Sequence, residues 1–297
     1  EIKREIAARK PYDAWLHDYL HHVELEITPG VNGVPPLPEG ELEARQVLHG
    51  MTREELSHVL VPMGRNAKEP TGSMGDDTPL SALMDAPRPL YSYFKQRFAQ
   101  VTNPAIDPIR ERIVMSLDSY IGQRHSILEE TPEAARLVHL TSPFLFDEEL
   151  DHLKQLQLEG YSATTLQARF AVADGPDGLR SGLDALCEAA AAAVDDGYSV
   201  IVISDRESDE AWAPIPMLLA ISTVHHHLIR SGRRMRASLI AEAADARDVH
   251  QIACLIGFGA SAVNPYLAFA SLRALHTDEE FEEDELEDVF WRYKQAV

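Results

Sequence analysis

The sequence predicts an α/β fold, in which parallel strands alternate with helices behind a helical, loop-rich N-terminal part. After about residue 135, short apolar stretches rich in β-branched residues alternate with helical patterns. Each strand with its helix takes roughly 30 to 40 residues, and this spacing implies right-handed parallel crossovers. Before that point, helices are joined by loops rich in proline and glycine. The repeats predict half or more of a barrel-like or doubly wound α/β domain.

The N-terminal part begins with helices that are separated by a proline-rich connection. Residues 29–40, PGVNGVPPLPEG, cannot continue a helix or a strand interior and predict an extended segment. Thr52 followed by Glu55 fits a capping box, so a helix is predicted over TREELSHVLVPM, residues 52–63.

Two further helices are predicted before the pattern changes. Pro89 suits a first helical turn, and LYSYFKQRFAQV at residues 90–101 has aromatic side chains at helical spacing, which predicts core packing. Asp107 as the N-cap and Pro108 in the first turn predict a helix over IRERIVMSLDSYI, residues 109–121.

The C-terminal part carries the strand and helix repeats. The run SVIVISD is nearly continuous in β-branched residues, which is typical of a parallel strand covered on both faces. No glycine fingerprint follows the predicted strands, so a dinucleotide site is not expected. The predicted elements are strand 163–172, helix 178–196, strand 199–205, helix 214–230, strand 236–243, helix 246–258, strand 260–264 and a helix from Tyr266.

Composition limits the class of protein. The 297 residues carry a formal net charge of -21, which argues against nucleic acid or an anionic membrane as a partner. No apolar run approaches the roughly 20 residues that span a bilayer, and no apolar signal region is present, so a cytoplasmic protein is expected. The start without Met suggests an internal piece of a longer polypeptide. Cys187 and Cys254 lie in apolar helical patterns and are expected to be reduced, buried thiols of a cytosolic protein.

An acidic run, DEEFEEDELED, occupies residues 278–288. Such a run is typical of a solvated helix face or linker. Apolar residues within and after it offer contacts for docking: Phe281, Val289, Phe290 and Tyr293. An acidic interaction module is a rival hypothesis for this segment.

Polar residues end three of the predicted strands. Asp205 ends the SVIVISD run, Glu242 lies near the end of the next strand, and Asn264 ends the one after it. Because ligands of parallel α/β folds bind at this edge, the three side chains form a candidate strand-end site if the strands are neighbours. They could instead pair with one another and cap the turns. A stand-alone barrel-like enzyme acting through this rim is therefore one hypothesis.

The run His225-His226-His227 is not expected to bind a metal. Adjacent residues on a helix point about 100° apart, so they cannot share one ion, whereas paired ligands need i,i+4 or similar spacing. One of them is expected to be a buried, hydrogen-bonding histidine.

Residues 68–107 form a block too specific for a simple connection, yet without a nucleophile–base pair or metal-ligand spacing. Gly72 and Gly75 permit backbone geometries whose N–H groups could bind a carbonyl or carboxylate. Asp76 and Asp77 could instead cap the following turn.

The same block closes on Thr102-Asn103-Pro104. Asn103 precedes proline and is pushed toward extended geometry, so the two polar side chains are presented at a turn. They could orient a small polar molecule or only satisfy the end of a helix.

Long collinear motifs resemble a known family. KEPTGSMGDDTPLSALMDAPRPLYSYFKQRFAQVTNPAIDPIRERIVMSLDSYIG, HLTSPFLF, ISDRESDEAWAPIPMLLAISTVHHHLIR and VHQIACLIGFGASAVNPYLAFASL closely resemble the central domain of the large subunit of ferredoxin- and NADPH-dependent glutamate synthases. The resemblance covers nearly the whole chain. Ala241, Ala243 and Ala244 are smaller or less polar than the family's usual residues there.

The resemblance implies a division of labour. In such enzymes an N-terminal amidotransferase domain uses its terminal cysteine to release ammonia from glutamine. A later domain carrying FMN and a 3Fe-4S cluster reduces the iminoglutarate formed from 2-oxoglutarate. The central domain links them, helps to wall the ammonia tunnel, has a degenerate TIM-barrel-like fold and holds no cofactor. By this resemblance Thr102 and Asn103 match positions in the tunnel entrance region.

The chain starts at Glu1, without the cysteine nucleophile, so no catalytic or metal-binding residue is expected in it and the isolated chain is expected to be inactive. Its expected parts are residues 1–135 (helical), 136–275 (β/α repeats) and 276–297 (an acidic linker helix toward the flavin domain). Expected partners are the amidotransferase and FMN domains of the same polypeptide and, in an NADPH-dependent enzyme, a small NADPH-oxidising subunit.

Overall fold

The structure is a computed structural model of the chain. It describes residues 2–23, 29, 37–70, 79–85, 88–95, 106–277, 280–281 and 284–297. Within these ranges, no helix is long and apolar enough to cross a membrane.

Where the structure describes it, the first part of the chain is built from short helices and three short strands. Its elements are α1 (Ile2–Ala7), α2 (Tyr12–Tyr19), β1 (His21–His22), α3 (Glu39–Leu48), α4 (Arg53–Glu55), α5 (Val61–Asn66), α6 (Pro108–Val114), β2 (Ser119–Ile121) and β3 (Val138–Leu140). A π-helical turn at Leu56–Leu60 joins α4 to α5. The predicted capping box is confirmed, because Thr52 Oγ1 accepts from the Glu55 N–H at 3.2 Å and Glu55 Oε2 accepts from the Thr52 N–H at 2.9 Å.

The helix predicted over residues 90–101 is wrong in its described portion. Leu90–Phe94 form a 3₁₀ helix, and the backbone is extended at Lys95. Tertiary bonds outweigh helical propensity here. The hydroxyl of Tyr91 donates to Asp245 at 2.9 Å, and the Tyr91 carbonyl lies 2.9 Å from Nε2 of His250.

The helix predicted over residues 109–121 ends early. Asp107 is its N-cap, as predicted, and accepts from the N–H groups of Ile109 and Arg110 at 3.1 Å. However, α6 stops at Val114, and only the last three residues of the predicted helix form a strand, β2, which pairs antiparallel with β3. Because Ile121 of β2 is fully buried in the core, strand pairing wins over the helical continuation.

The second part of the chain contains the β/α repeats. Its elements are α7 (Asp147–Gln155), β4 (Ala163–Gln167), β5 (Arg169–Ala171), α8 (Gly175–Asp195), β6 (Val200–Ser204), β7 (Trp212–Pro214), α9 (Met217–Arg230), β8 (Ser238–Glu242), α10 (Val249–Gly257), β9 (Ala262–Asn264), α11 (Tyr266–Thr277) and α12 (Leu286–Ala296).

The central sheet has the strand order of a β/α barrel. Four strands, β4, β6, β8 and β9, pair in parallel in that order, with α8, α9 and α10 as the crossovers. Phe144, just before α7, forms a parallel bridge with Val263 at the outer side of β9. The first segment of the repeats therefore lies beside the last strand, as in a barrel and unlike a doubly wound sheet, whose strand order reverses at a switch point. Because the described residues form fewer strands of this sheet than the usual eight or so, the fold is a degenerate TIM-barrel-like domain.

The strand predicted over residues 163–172 is interrupted at Ala168. Its N–H donates to the Ser204 carbonyl at 2.7 Å, and its own carbonyl accepts from the Ile215 N–H at 2.8 Å. After this point, β5 leaves the central sheet and pairs antiparallel with β7. Because β7 extends to Pro214, the helix after it, α9, begins at Met217, three residues later than the predicted start at Pro214.

Both faces of the sheet are covered, as the SVIVISD run predicts. Ile201 and Ile203 of β6 belong to a large core together with helical residues of α8, α9, α11 and α12. Val200 and Val202 face a second core, which includes Ile121 of β2. All five residues of β6 are buried.

The acidic run leads into a helix that belongs to the core. Phe281, Val289, Phe290 and Tyr293 are each no more than 3% exposed. A Cβ on Gly64 of α5 would lie 3.0 Å from the Val289 side chain, so α5 and α12 pack closely together. This burial goes further than the docking contacts predicted from the sequence.

Candidate functional site

The structure brings the three strand-end residues together. Ser204 of β6 pairs with Glu242 of β8, and Glu242 pairs with Asn264 of β9, so the polar residues share one edge of the sheet. Asp205 directly follows β6 at the same edge.

Glu242 is the centre of an ionic network at this edge. Its Oε1 accepts from Nε of Arg206 at 2.8 Å and from Nζ of Lys154 at 3.0 Å. Arg206 also reaches Oδ1 of Asp147 at 3.5 Å. Burial alone would raise the pKa of Glu242, but Arg206 and Lys154 outweigh it, and the pKa lies below its ordinary value. Glu242 is therefore held as a carboxylate.

Asn264 connects this network to α7. Its Nδ2 donates to the Leu145 carbonyl at 3.1 Å and to Oδ1 of Asp147 at 2.9 Å. Burial raises the pKa of Asp147 to about 6, although Arg206 and Asn264 oppose the shift. The carboxamide thus fixes the position of a partly buried carboxyl.

Asp205 lies in a second, more deeply buried cluster. Both of its carboxylate oxygens lie 3.1 Å from the donating N–H of Ala244. Asp245 accepts from the Tyr91 hydroxyl at 2.9 Å and from the Met217 N–H at 3.0 Å. Burial raises the pKa of Asp205 to about 7, and burial together with the charge of Asp205 raises that of Asp245. The two carboxyls therefore disfavour each other's ionisation.

His49 reaches this cluster from the end of α3. Its Nδ1 lies 3.9 Å from Oδ2 of Asp205, and its Nε2 is buried without a hydrogen-bond partner among the described residues. Burial lowers the pKa of His49 to about 4, so the imidazole is neutral near pH 7 and forms no ion pair with Asp205.

The N-terminal part closes the strand ends. Nη1 of Arg45 donates to the Arg206 carbonyl at 2.7 Å, so α3 lies over this edge of the sheet. Asp205, Glu242 and Asn264 are 1%, 2% and 0% exposed. The rim is filled by packed, mutually bonded side chains, and a substrate would need to displace them to reach these groups.

Arg247 connects the N-terminal helices to the α/β part. Its guanidinium is 2% exposed and donates to Oε1 of Glu55 at 2.9 Å and to the Gly50 carbonyl at 3.0 Å. The Tyr293 hydroxyl donates to the Arg247 carbonyl at 2.9 Å. One buried residue therefore connects the N-terminal helices, the loop after β8 and α12.

Several residues of the network are not predicted from the sequence. Asp245 and Arg247 follow β8 closely, so the rule that polar residues gather at strand ends could have found them. Lys154, Asp147, Tyr91 and His49 lie on other elements, and nothing in the local pattern predicts their positions.

Other candidates are not placed at this site. Gly72, Gly75, Asp76, Asp77 and the pair Thr102 and Asn103 lie outside the described residues. Across the described ranges, no group of three or more His, Cys, Asp or Glu side chains is arranged to hold a metal ion. In the histidine run, Nδ1 of His225 accepts from Nε of Arg234 at 2.9 Å.

The fold is that of a degenerate β/α domain, and the carboxyl ends of its strands are occupied by the protein's own buried side chains. The profile of the glutamate synthase central domain matches residues 44–297, and the chain belongs to that family.

Relatives from several organisms agree with this assignment. The chain is 42% identical over 290 residues to ferredoxin-dependent glutamate synthase 2 of Synechocystis sp., covering 94% of this chain and 18% of the relative. It is 39% identical over 298 residues to the glutamate synthase [NADPH] large chain of Azospirillum brasilense, covering 100% of this chain and 20% of the relative. The chain thus spans a fifth or less of these relatives. A flavocytochrome b2 with sulfite bound is similar at a TM-score of 0.33 with 13% identity over 52% of this chain and 33% of that one, too low to support an argument.

Proposed function

We propose that the chain is a non-catalytic linking domain of a glutamate synthase large chain. In this role it connects an amidotransferase domain to an FMN domain and contributes to the passage of ammonia between them. The observation that carries the proposal is the closure of the strand ends, combined with family membership. In TIM-barrel enzymes substrates bind at the carboxyl ends of the strands. Here Asp205, Glu242 and Asn264 are buried and bonded to neighbouring groups.

The network suits a rigid spacer. Arg247 and Arg45 fasten helices of the first part onto loops of the β/α repeats through hydrogen bonds between residues far apart in sequence. A rigid spacer holds two reaction centres at fixed separation, so that the product of one reaches the other at a high effective concentration. Ammonia released into solvent would be diluted and protonated, and confinement avoids both losses.

Thr102 and Asn103 are proposed to line the ammonia path. This assignment rests on their resemblance to the family's tunnel positions and on the extended geometry that the sequence predicts for a residue before Pro104. FMN, the 3Fe-4S cluster and the amidotransferase nucleophile are assigned to other parts of the polypeptide, and a cytoplasmic location is proposed with them. Where NADPH is the donor, a small NADPH-oxidising subunit is a further partner.

The coupling of the two reactions tests this proposal. In the complete polypeptide that carries this chain, glutamate formed per glutamine hydrolysed is measured for Thr102→Val, Asn103→Ala and the double variant. We expect a lower ratio with more free ammonia, while the ammonia-dependent reaction stays unchanged. Thr277→Val, on an exposed residue at the end of α11, is the matched control. An unchanged ratio in the double variant would remove the tunnel role of these residues.

A further inference from the structure

A cavity of about 610 Å³ lies at the opposite end of the sheet, beside the amino ends of β8 and β9. Ser238, the first residue of β8, and Ser261, just before β9, are among its lining residues. Arg124 and Arg234 line the same cavity. Its volume is typical of sites for small molecules, roughly 300 to 1,000 Å³, in which a few polar groups fix the ligand.

Arg234 is held in place by neutral acceptors. Its Nε donates to Nδ1 of His225 at 2.9 Å, its Nη1 to the Ala237 carbonyl at 2.7 Å and its Nη2 to the Gly259 carbonyl at 2.8 Å. These bonds orient the guanidinium but do not neutralise its charge. Its remaining N–H donors are available for an acceptor that carries negative charge.

The hydrogen bond from Arg234 to His225 requires a glycine at position 259. Gly259 has a φ of +120°, and a Cβ added there would lie 2.3 Å from Nδ1 of His225. Burial, then the charge of Arg234, lowers the pKa of His225, so the ring stays neutral and can accept the hydrogen bond. The first member of the histidine run thus positions a cation.

Arg124 brings a second cation to the cavity. Its backbone N–H donates to the Met235 carbonyl at 2.8 Å, which fixes the loop after β2 against the turn before β8. Burial, followed by the like charge of Arg124, lowers the pKa of Arg234. The two arginines thus line one cavity, and the charge of Arg124 disfavours the charge of Arg234.

Neither arginine forms an ion pair with a carboxylate in the part of the chain that the structure describes. Their sequence neighbours behave differently, because Arg233 and Arg236 pair with Asp195 at 2.7 Å and 3.0 Å. In a chain with a net charge of -21, two cations left without carboxylate partners in one cavity are unexpected. Asp118 also lines the cavity, and its Oδ1 lies 3.3 Å from Nε2 of His139.

We propose that this cavity binds a small anion with a carboxylate or phosphate group, held by Arg124 and Arg234. The planar guanidinium matches either group with paired hydrogen bonds, and a bound anion relieves the repulsion between the two cations. The site is distinct from the closed strand ends and does not depend on the linking role of the domain.

Isothermal titration calorimetry of the complete polypeptide tests the site. The probes are inorganic phosphate and succinate at constant ionic strength, and the probe that binds identifies the preferred head group. We expect saturable binding of at least one probe and a loss of affinity of about tenfold or more in Arg124→Gln, whose side chain is exposed. Arg236→Gln, on an arginine already paired with Asp195, is the matched control and should bind within about twofold of the original chain.

Arg234→Gln is a second variant for the same binding measurement, and its folding is checked by circular dichroism. If it folds, it should lose binding as Arg124→Gln does. The proposal is overturned if neither probe binds saturably, or if Arg124→Gln binds as tightly as the original chain.

Discussion

The guanidinium of Arg206 donates to the carboxylate of Glu242 over 2.8 Å, across the carboxyl ends of β6 and β8. This bond lies where a barrel enzyme would contact its substrate. Glu242 also accepts from Lys154, and the ring of Tyr266 covers the guanidinium of Arg206 at 4.1 Å from its centroid. The edge is therefore occupied by the protein's own side chains. The contribution of these side chains to the free energy of unfolding can be measured.

Removing the charge of Glu242 should destabilise the chain. Glu242→Gln leaves Arg206 and Lys154 without their shared carboxylate, and we expect a loss of about 2–3 kcal/mol in the free energy of unfolding in urea. Because the folded pKa of Glu242 is depressed, this contribution is present above the unfolded pKa and is lost as the pH falls through the folded value. Glu210→Gln, on an exposed side chain, should change the free energy by less than about 0.5 kcal/mol. Equal effects of the two variants would show that the network contributes nothing.

Asp205 should have the opposite pH dependence. Its pKa is raised by burial, so its contribution is fully present below the unfolded pKa of about 3.9 and is lost as the pH rises toward about 7. Asp205→Asn keeps an acceptor for the Ala244 N–H and removes the ionisation. The variant should be more stable than the original chain by about 2–4 kcal/mol at pH 8, with the difference shrinking toward pH 5. A difference that does not change between pH 5 and pH 8 would contradict the buried titration.

His49 should make the folded chain sensitive to acid. Because burial lowers its pKa to about 4, the unfolded chain binds a proton at His49 that the folded chain excludes. Stability from this group is present above about pH 6.5 and is lost as the pH falls toward about 4. In His49→Gln, the free energy of unfolding should fall less steeply over this range. His17→Gln, on a side chain that is 87% exposed, should keep the original slope, and a shared slope in both variants would argue against His49 as the source.

The last helix should contribute strongly to the core. Phe290 is 3% exposed, and its ring lies 4.9 Å from that of Phe269. Phe290→Ala should lower the free energy of unfolding by about 3–5 kcal/mol, because it removes buried apolar surface and leaves a cavity. Gln295→Ala, on the exposed face of α12, serves as the control. A loss below about 1 kcal/mol would mean that α12 behaves as a solvated linker helix.

Local patterns predict the β/α repeats well, because a buried parallel strand needs apolar residues on both faces and the run from Val200 to Ser204 supplies them. They also predict that Asp205, Glu242 and Asn264 share an edge, since strand ends of a parallel sheet meet there. They fail at Tyr91, whose bond to Asp245 joins residues 154 positions apart and replaces a predicted α-helix with a 3₁₀ helix. Local patterns also do not predict that His49 and Arg247 help to close the strand ends, because this depends on tertiary contacts between distant segments.

The kinetics of Asp205→Asn in the complete polypeptide show whether the strand ends are structural or catalytic. If the strand-end rim took part in either reaction of the complete polypeptide, Asp205 would be needed as a reacting group, and loss of an acid–base group typically costs about 100-fold or more in kcat. If the strand ends are structural, kcat for glutamine hydrolysis and for ammonia-dependent glutamate formation should each stay within about twofold of the original. A loss of about 100-fold in either reaction, in a variant that is folded, would show that Asp205 takes part in catalysis.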